Sequence, residues 1–200
     1  MARARAFDTD TVLWAAANLF RQRGYRNVTI PDLAEATGLV SGSIYNAFGD
    51  KAGLFRAALR HYVTGFVQPR LERHAGEGAR LEDLEQLFLS VLEAPLDDGG
   101  GCLVNNSIIE FGSADPLARE DLAGTLDLVR EGIASVLQRE LPPEAVAAAT
   151  VRLLILYHGV LTLSRSTTPA ADMALAVRSE FDALRTQRDA LSPSSTSRSQ

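Results

Sequence analysis

Between Thr29 and Lys51 the chain reads TIPDLAEATGLVSGSIYNAFGDK, and this stretch narrows the possible folds more than any other. It spells two short helices broken at Gly38. Thr29 is placed to cap the first, with Pro31 tolerated in the opening turn and Asp32 where a capping-box acid belongs. Ser41 reads as the cap of the second, Gly42 to Phe48, which Gly49 closes. Asp50 then caps a further helix carrying Leu54, Phe55, Ala58, Leu59, Tyr62 and Phe66, which Pro69 should kink or end. Helices this short are unstable alone. Leu33, Ala34, Leu39, Ile44 and Phe48 must therefore share an apolar seam with the helix before them, about Asp8 to Arg23, whose Val12, Leu13, Ala16, Leu19 and Phe20 fall on one face. Such a pair holds its second helix clear of the body, able to enter a major groove about 12 Å wide. Its outer face reads Ser41, Gly42, Ser43, Tyr45 and Asn46: small residues admit the backbone to the duplex, and hydroxyls and amides reach base edges or phosphates. Thr29 and Lys51 flank the pair at helix N-termini, where backbone N–H groups favour phosphate. A three-helix packing unit with polar outer faces would show the same periodicity, so the pattern alone leaves both readings open.

The rest of the chain keeps helical spacing, and alternating strand patterns are scarce. Helices are expected near 81–94, 103–113, 117–140, 144–166 and 170–190. Breaks fall at Asp97-Asp98-Gly99-Gly100-Gly101, Asp115-Pro116, Pro142-Pro143 and Pro169. The fold class is all-α. Residues 1–62 are expected to form one domain, DNA-binding on the first of those readings, with a basic N-terminal arm, residues 63–191 a second domain, and the polar stretch SPSSTSRSQ, 192–200, a disordered tail. Charge divides along the same line. The first 62 residues hold eight Lys/Arg (Arg3, Arg5, Arg21, Arg23, Arg26, Lys51, Arg56, Arg60) against five acids, while the remainder is acidic. A basic end on an acidic body suggests one surface that meets nucleic acid. A hydrophobic content of 46% supports a core without disulfides, which the single Cys102 could not form within one chain. No metal or other cofactor is indicated. Neither a signal peptide nor an uninterrupted bilayer-length apolar run is evident, so the expectation is a soluble cytoplasmic protein with no membrane partner.

FDTDTVLWAAANLFRQRGYRNVTIPDLAEATGLVSGSIYNAFGDKAGLFRAALRHY resembles, without a gap, the DNA-binding domain of the tetracycline-repressor (TetR) family. The landmarks are Ala16, Phe20, Gly24-Tyr25, Thr29, Ile30, Leu33-Ala34, Gly38, Ser43-Ile44-Tyr45, Phe48, Lys51 and Leu54. Gly53 departs from the pattern, standing where an acid commonly completes a capping box. The resemblance implies a homodimeric regulator of nine or so helices, mostly repressing, bound to inverted-repeat operator DNA and released by a small-molecule inducer. It places Thr29, Ser41, Ser43, Tyr45, Asn46 and Lys51 at or beside DNA. Tyr45 and Lys51 would take phosphates, while Gly42, Ser43 and Asn46 would bear on sequence.

Beyond residue 65 the resemblance covers only the general plan, in which the last two long helices pair with their copies. Ala145, Ala147, Ala148, Ala149, Leu153, Leu156, Gly159, Val160 and Leu163 agree, making the first of these apolar around much of its circumference. Burial inside one monomer is the alternative. The middle helices should enclose the inducer, with Asn105, Asn106, Glu110, Tyr157 and His158 as polar candidates and Phe88 and Phe111 as walls. Gly101-Cys102-Leu103-Val104-Asn105 is similar to a helix start in a branch of the family that includes oxidant- and electrophile-responsive repressors. Cys102 would stand at a helix N-terminus, where a thiolate is favoured. A thiol-based repressor and a DNA-binding architectural protein without inducer are the competing readings. An enzyme using Cys102 and His158 lacks any third orienting residue.

Overall fold

The computed structural model describes residues 8–93, 96–112 and 115–191, and the described residues contain helices and no strands. The basic arm with Arg3 and Arg5 and the tail 192–200 lie outside them. The helices are α1 (Thr9–Arg23), α2 (Ile30–Thr37), α3 (Ser41–Phe48), α4 (Lys51–Tyr62), α5 (Gln68–Ala75), α6 (Leu81–Leu89), α7 (Leu103–Phe111), α8 (Arg119–Glu140), α9 (Pro143–Leu163) and α10 (Ala170–Leu191). A π-helical turn, Val63–Val67, joins α4 to α5 without leaving helical backbone, so the two form one bent rod and the described helices number nine. Pro69 accounts for the join: it sits in the first turn of α5, where its missing N–H is harmless. It neither ends nor simply kinks the rod. The wider π turn just ahead of it absorbs one extra residue, with the Gln68 N–H donating to the Val63 carbonyl.

α1 and α4 pack on each other, with α2 against α1 and α3 against α4. Leu33 and Ile44 are fully buried, and Ala34, Leu39 and Phe48 pack around them as the expected seam. Gly38 ends α2 in the left-handed region, φ 70°, where a side chain would be strained. In the body, α6 packs on α5, α8 and α10, and α8 runs against α9. α7 is the wedge between the halves, touching α1 and α4 on one side and α8 and α9 on the other. One continuous apolar core runs from Leu13 to Leu184 through it.

α9 departs from the expectation that nothing here is apolar enough for a bilayer. Over 21 residues its length and mean hydropathy of 1.7 would suit one, with 33% of that window buried. Val146, Ala149, Leu153, Tyr157 and Val160 face the core, while Val151, Ile155 and Leu163 are exposed.

Candidate nucleic-acid interface and the cavity behind it

The capping box at Thr29 forms as read: the Thr29 N–H donates to Asp32 Oδ2 at 2.8 Å and the Asp32 N–H to Thr29 Oγ1 at 3.3 Å. The Thr29 hydroxyl, which also donates to Asp32 Oδ2, and then the Thr29 N–H hold the Asp32 carboxyl below its ordinary pKa. The next helix differs from expectation. Val40, not Ser41, occupies its N-cap position, and no side chain caps it. Ser41 is instead the first helical residue, and the Ser41 and Gly42 N–H groups precede the first backbone bonds, from Ser43 and Ile44 to the Val40 carbonyl. Ser41, Gly42, Tyr45 and Asn46 are exposed, Ser43 is half-buried and Ile44 is fully inside. A single face of α3 thus presents an uncapped N-terminus, small side chains, a phenol and an amide.

Two residues around α3 carry structural work that sequence reasoning missed. Lys51 does not point outward as a free cation. Its ammonium donates to the Tyr25 carbonyl at 3.0 Å and the Val28 carbonyl at 2.9 Å, and lies 4.2 Å from the centre of the Tyr25 ring. One of its three donors remains for a phosphate. Gly53 is not a weak spot in α4. Asp50 accepts the Gly53 N–H at 2.7 Å, and a Cβ at position 53 would meet the Phe48 carbonyl at 1.9 Å. Only glycine lets α3 and α4 turn this tightly.

Charge at this end is partly internal. Arg21 is buried: its guanidinium pairs with the Asp98 carboxylate and donates to the Gly101 carbonyl at 3.0 Å. Hydrogen bonding to Arg21 pulls the Asp98 carboxyl down to about 2. Arg23 pairs with Asp32 at 3.2 Å and Arg60 with Asp121 at 2.8 Å.

Of the residues proposed for the ligand site, the structure gathers Cys102, Asn105, Tyr157 and His158 around one cavity, and places the others elsewhere. Glu110 leaves α7 toward the α1–α4 end, where its two carboxylate oxygens accept the N–H groups of Tyr25 and Arg26, both at 2.8 Å. Asn106 donates through Nδ2 to the carbonyls of Arg21, at 2.9 Å, and Gly100, at 2.8 Å. Phe111 packs on Tyr25 and Phe55 with ring centres 5.5 and 5.4 Å away. Phe88 stands edge-on to Tyr157 and Phe181, 5.2 Å from each, inside the core. Asp98, Asn106 and Glu110 therefore latch α7 and the turn before it onto α1 and the α1–α2 turn. The glycine run belongs to this latch. A Cβ on Gly100 would strike Arg21 Nη1 at 2.6 Å, and one on Gly101 would strike Arg165 at 2.7 Å. The glycines make room for two arginines rather than slack for the chain.

The cavity holds about 20 Å³, room for a water-sized group. Apolar side chains from the join before α5, from α7, α8 and α9 surround it, among them Val67, Val104, Val129 and Leu161. Cys102 occupies the N-cap position of α7, as read from the sequence, but only 7% of it is exposed. The Tyr62 hydroxyl is buried near the Cys102 sulfur, and burial first and that sulfur second raise its pKa well above the ordinary value. Burial likewise pushes Tyr157 up to about 12.

The family described as bacterial regulatory proteins, tetR family, matches residues 12–58. YezE of Bacillus subtilis, an HTH-type transcriptional regulator, is 33% identical over 122 residues, 60% of this chain and 63% of YezE. The chain thus spans less than two thirds of the length of the curated relatives it matches first. A TetR transcriptional regulator of Chloroflexus aurantiacus superposes with a TM-score of 0.71 at 27% identity, over 89% of this chain and 93% of that one. A cysteine mutant of the TetR family regulator CifR, complexed with 26-bp operator DNA, superposes with a TM-score of 0.77 at 24% identity, over 91% and 99%. Residues 12–58 match the tetR family of bacterial regulatory proteins, and the helical body behind them superposes on TetR transcriptional regulators over about nine tenths of the chain.

Proposed function

We propose that this protein is a cytoplasmic transcriptional repressor, a homodimer that binds an inverted-repeat operator through α3 and leaves it when a small-molecule inducer enters the cavity behind α7. The carrying observation is the outward face of α3, with Ser41, Gly42, Tyr45 and Asn46 exposed on a helix whose other side is locked into the seam by Ile44. Asn46 and Ser43 reach base edges; Tyr45, Thr29, the α3 N-terminus and the remaining donor of Lys51 take phosphates. CifR is named with operator DNA, and several curated relatives are named repressors, which supports the direction of control.

The dimer face follows from α9. Ala147, Val151, Ile155, Gly159 and Leu163 recur every fourth residue, and Val151 and Ile155 are 56% and 68% exposed. An apolar stripe with small residues in it suits a second copy of the same helix, and exposed Leu175 extends the patch onto α10. Switching follows from α7. Cys102, Val104 and Asn105 line the cavity, while Gly101, Asn106 and Glu110 hold the DNA-binding end. Any molecule larger than a water must part α7 from α8 and α9, and that strains the latch. A coupling of about 1–3 kcal/mol would change operator affinity about 5- to 150-fold.

Selection of the purified dimer against random duplex DNA, followed by a salt titration, tests the reading. An inverted repeat should be enriched, its half-sites separated by roughly 34–36 Å or a multiple. Log affinity should fall linearly with log salt. Asn46→Ala should change which sequences are preferred. Recovery of no preferred sequence from the wild type would overturn the proposal.

A further inference from the structure

A chain of three hydrogen bonds fixes the chemistry of the cavity wall. Thr162 Oγ1 donates to the His158 carbonyl at 2.8 Å, so its proton is used and its lone pair is left to accept. Asn105 Nδ2 donates to it at 3.1 Å. That bond orients the amide, placing Asn105 Oδ1 3.1 Å from His158 Nδ1. An amide oxygen can only accept, so Nδ1 carries the proton. Burial lowers the imidazole pKa below its ordinary value, so the ring is neutral. Nε2 is therefore a bare lone pair, and it is buried with no hydrogen-bond partner among the described residues.

The remaining wall sharpens the demand. None of the side chains around the cavity carries a charge. The Thr125 hydroxyl is spent on the Asp121 carbonyl at 2.7 Å. A carboxylate ligand would meet no cation and would turn its lone pairs on Nε2; an ammonium would meet no carboxylate. An acceptor-only molecule would leave the imidazole unsatisfied. Resting on the reading of this cavity as the inducer site, we infer that the inducer is an uncharged, mostly apolar small molecule that donates one hydrogen bond, from a hydroxyl or N–H, to His158 Nε2. The donor enters the water-sized space, and the apolar remainder lies among Val104, Val129 and Leu161 as α7 gives way.

Three matched probes, 4-methylphenol, 4-methylanisole and 4-methylbenzoate, test this by calorimetric titration of the full-length dimer. The phenol should bind about tenfold more tightly than its methyl ether, the return of one buried hydrogen bond, and the benzoate should not bind. In His158→Leu the phenol should lose its advantage while the ether keeps its affinity. Nitrogen NMR of the wild-type imidazole gives a measurement independent of any variant's folding. It should report a protonated Nδ1 and a bare Nε2. An Nε2–H tautomer or an imidazolium overturns the inference, as does equal binding of phenol and ether, which would leave the cavity itself standing as a ligand site. Failure of all three probes to bind overturns the cavity reading and the inference with it.

Discussion

Glu110 offers the sharpest test of how the two halves are joined. Its oxygens each accept one backbone N–H, from Tyr25 and Arg26, at 2.8 Å. Hydrogen bonds to a charged acceptor contribute about 1.5–3 kcal/mol each in mutational series. The Arg26 bond is exposed, so its N–H regains water when the carboxylate is removed, and its share shrinks. The loss in Glu110→Ala should then be about 2 kcal/mol, or about 4–8 °C in Tm for a chain of this size. Glu110→Gln should lose nearly as much. The amide keeps one acceptor and sets its NH2 against the second N–H, so polarity and size are retained while the geometry is not. Urea unfolding at one fixed protein concentration reads the stability, because the midpoint of the proposed dimer would depend on concentration. Amide exchange at Tyr25 and Arg26 reads the site, and both should lose protection in both variants. A Gln variant as stable as wild type, or an Ala variant within about 0.5 kcal/mol of it, would refute the two-oxygen latch.

Lys51→Met should both lower stability by about 1–3 kcal/mol, by freeing the Tyr25 and Val28 carbonyls, and weaken operator and random duplex alike. A change in sequence preference on titration against several duplexes would contradict this. Ile155→Asp should give a monomer in sedimentation, since the variant would bury an unpaired charge in the α9 stripe, and operator binding should collapse with it. Asp98→Asn should be less stable than wild type at neutral pH. The folded pKa of Asp98, about 2, lies below its unfolded value, so its contribution is present above about pH 4 and fades as pH falls toward 2. The stability difference between the two proteins, followed by unfolding across that window, should therefore close.

Much of the DNA-binding end was legible because its signals are local. Thr29 and Asp32 meet three residues apart, Gly38 and Gly49 end helices where they stand, and Leu33 and Ile44 mark the apolar side of their own short helices. Ser41 was misplaced by one position because Ser is a favoured cap, yet the backbone of Val40 takes that place. Lys51, Asn106 and Glu110 were read for what they could offer a ligand. Except for the Gly100 carbonyl, their partners lie 23 to 85 residues away, and nothing in helical periodicity distinguishes a polar group facing a cavity from one facing another helix. Arg21 did leave a trace, four residues beyond Ala17 and eight beyond Leu13 on the buried face of α1. A lone cation there requires an acid, and the structure supplies Asp98 from the break before α7. The glycine run reads only as a break between helices because sequence shows the absent side chains but not the arginines that fill their space.

The π turn at Val63–Val67 makes the phase between reading head and body a whole-number quantity. A π turn is an α-helix holding one residue more than its hydrogen-bond ladder needs. Removing a residue there would restore an ordinary helix at little local cost, yet would swing everything before it by about 100° around the rod, since α-helix advances one turn in about 3.6 residues. The α1–α7 latch could not close after such a swing, and in the proposed dimer the two copies of α3 would no longer face one duplex. Drift in operator spacing among descendants of this gene would therefore proceed by jumps, through gain or loss of single codons at this joint, rather than by gradual substitution.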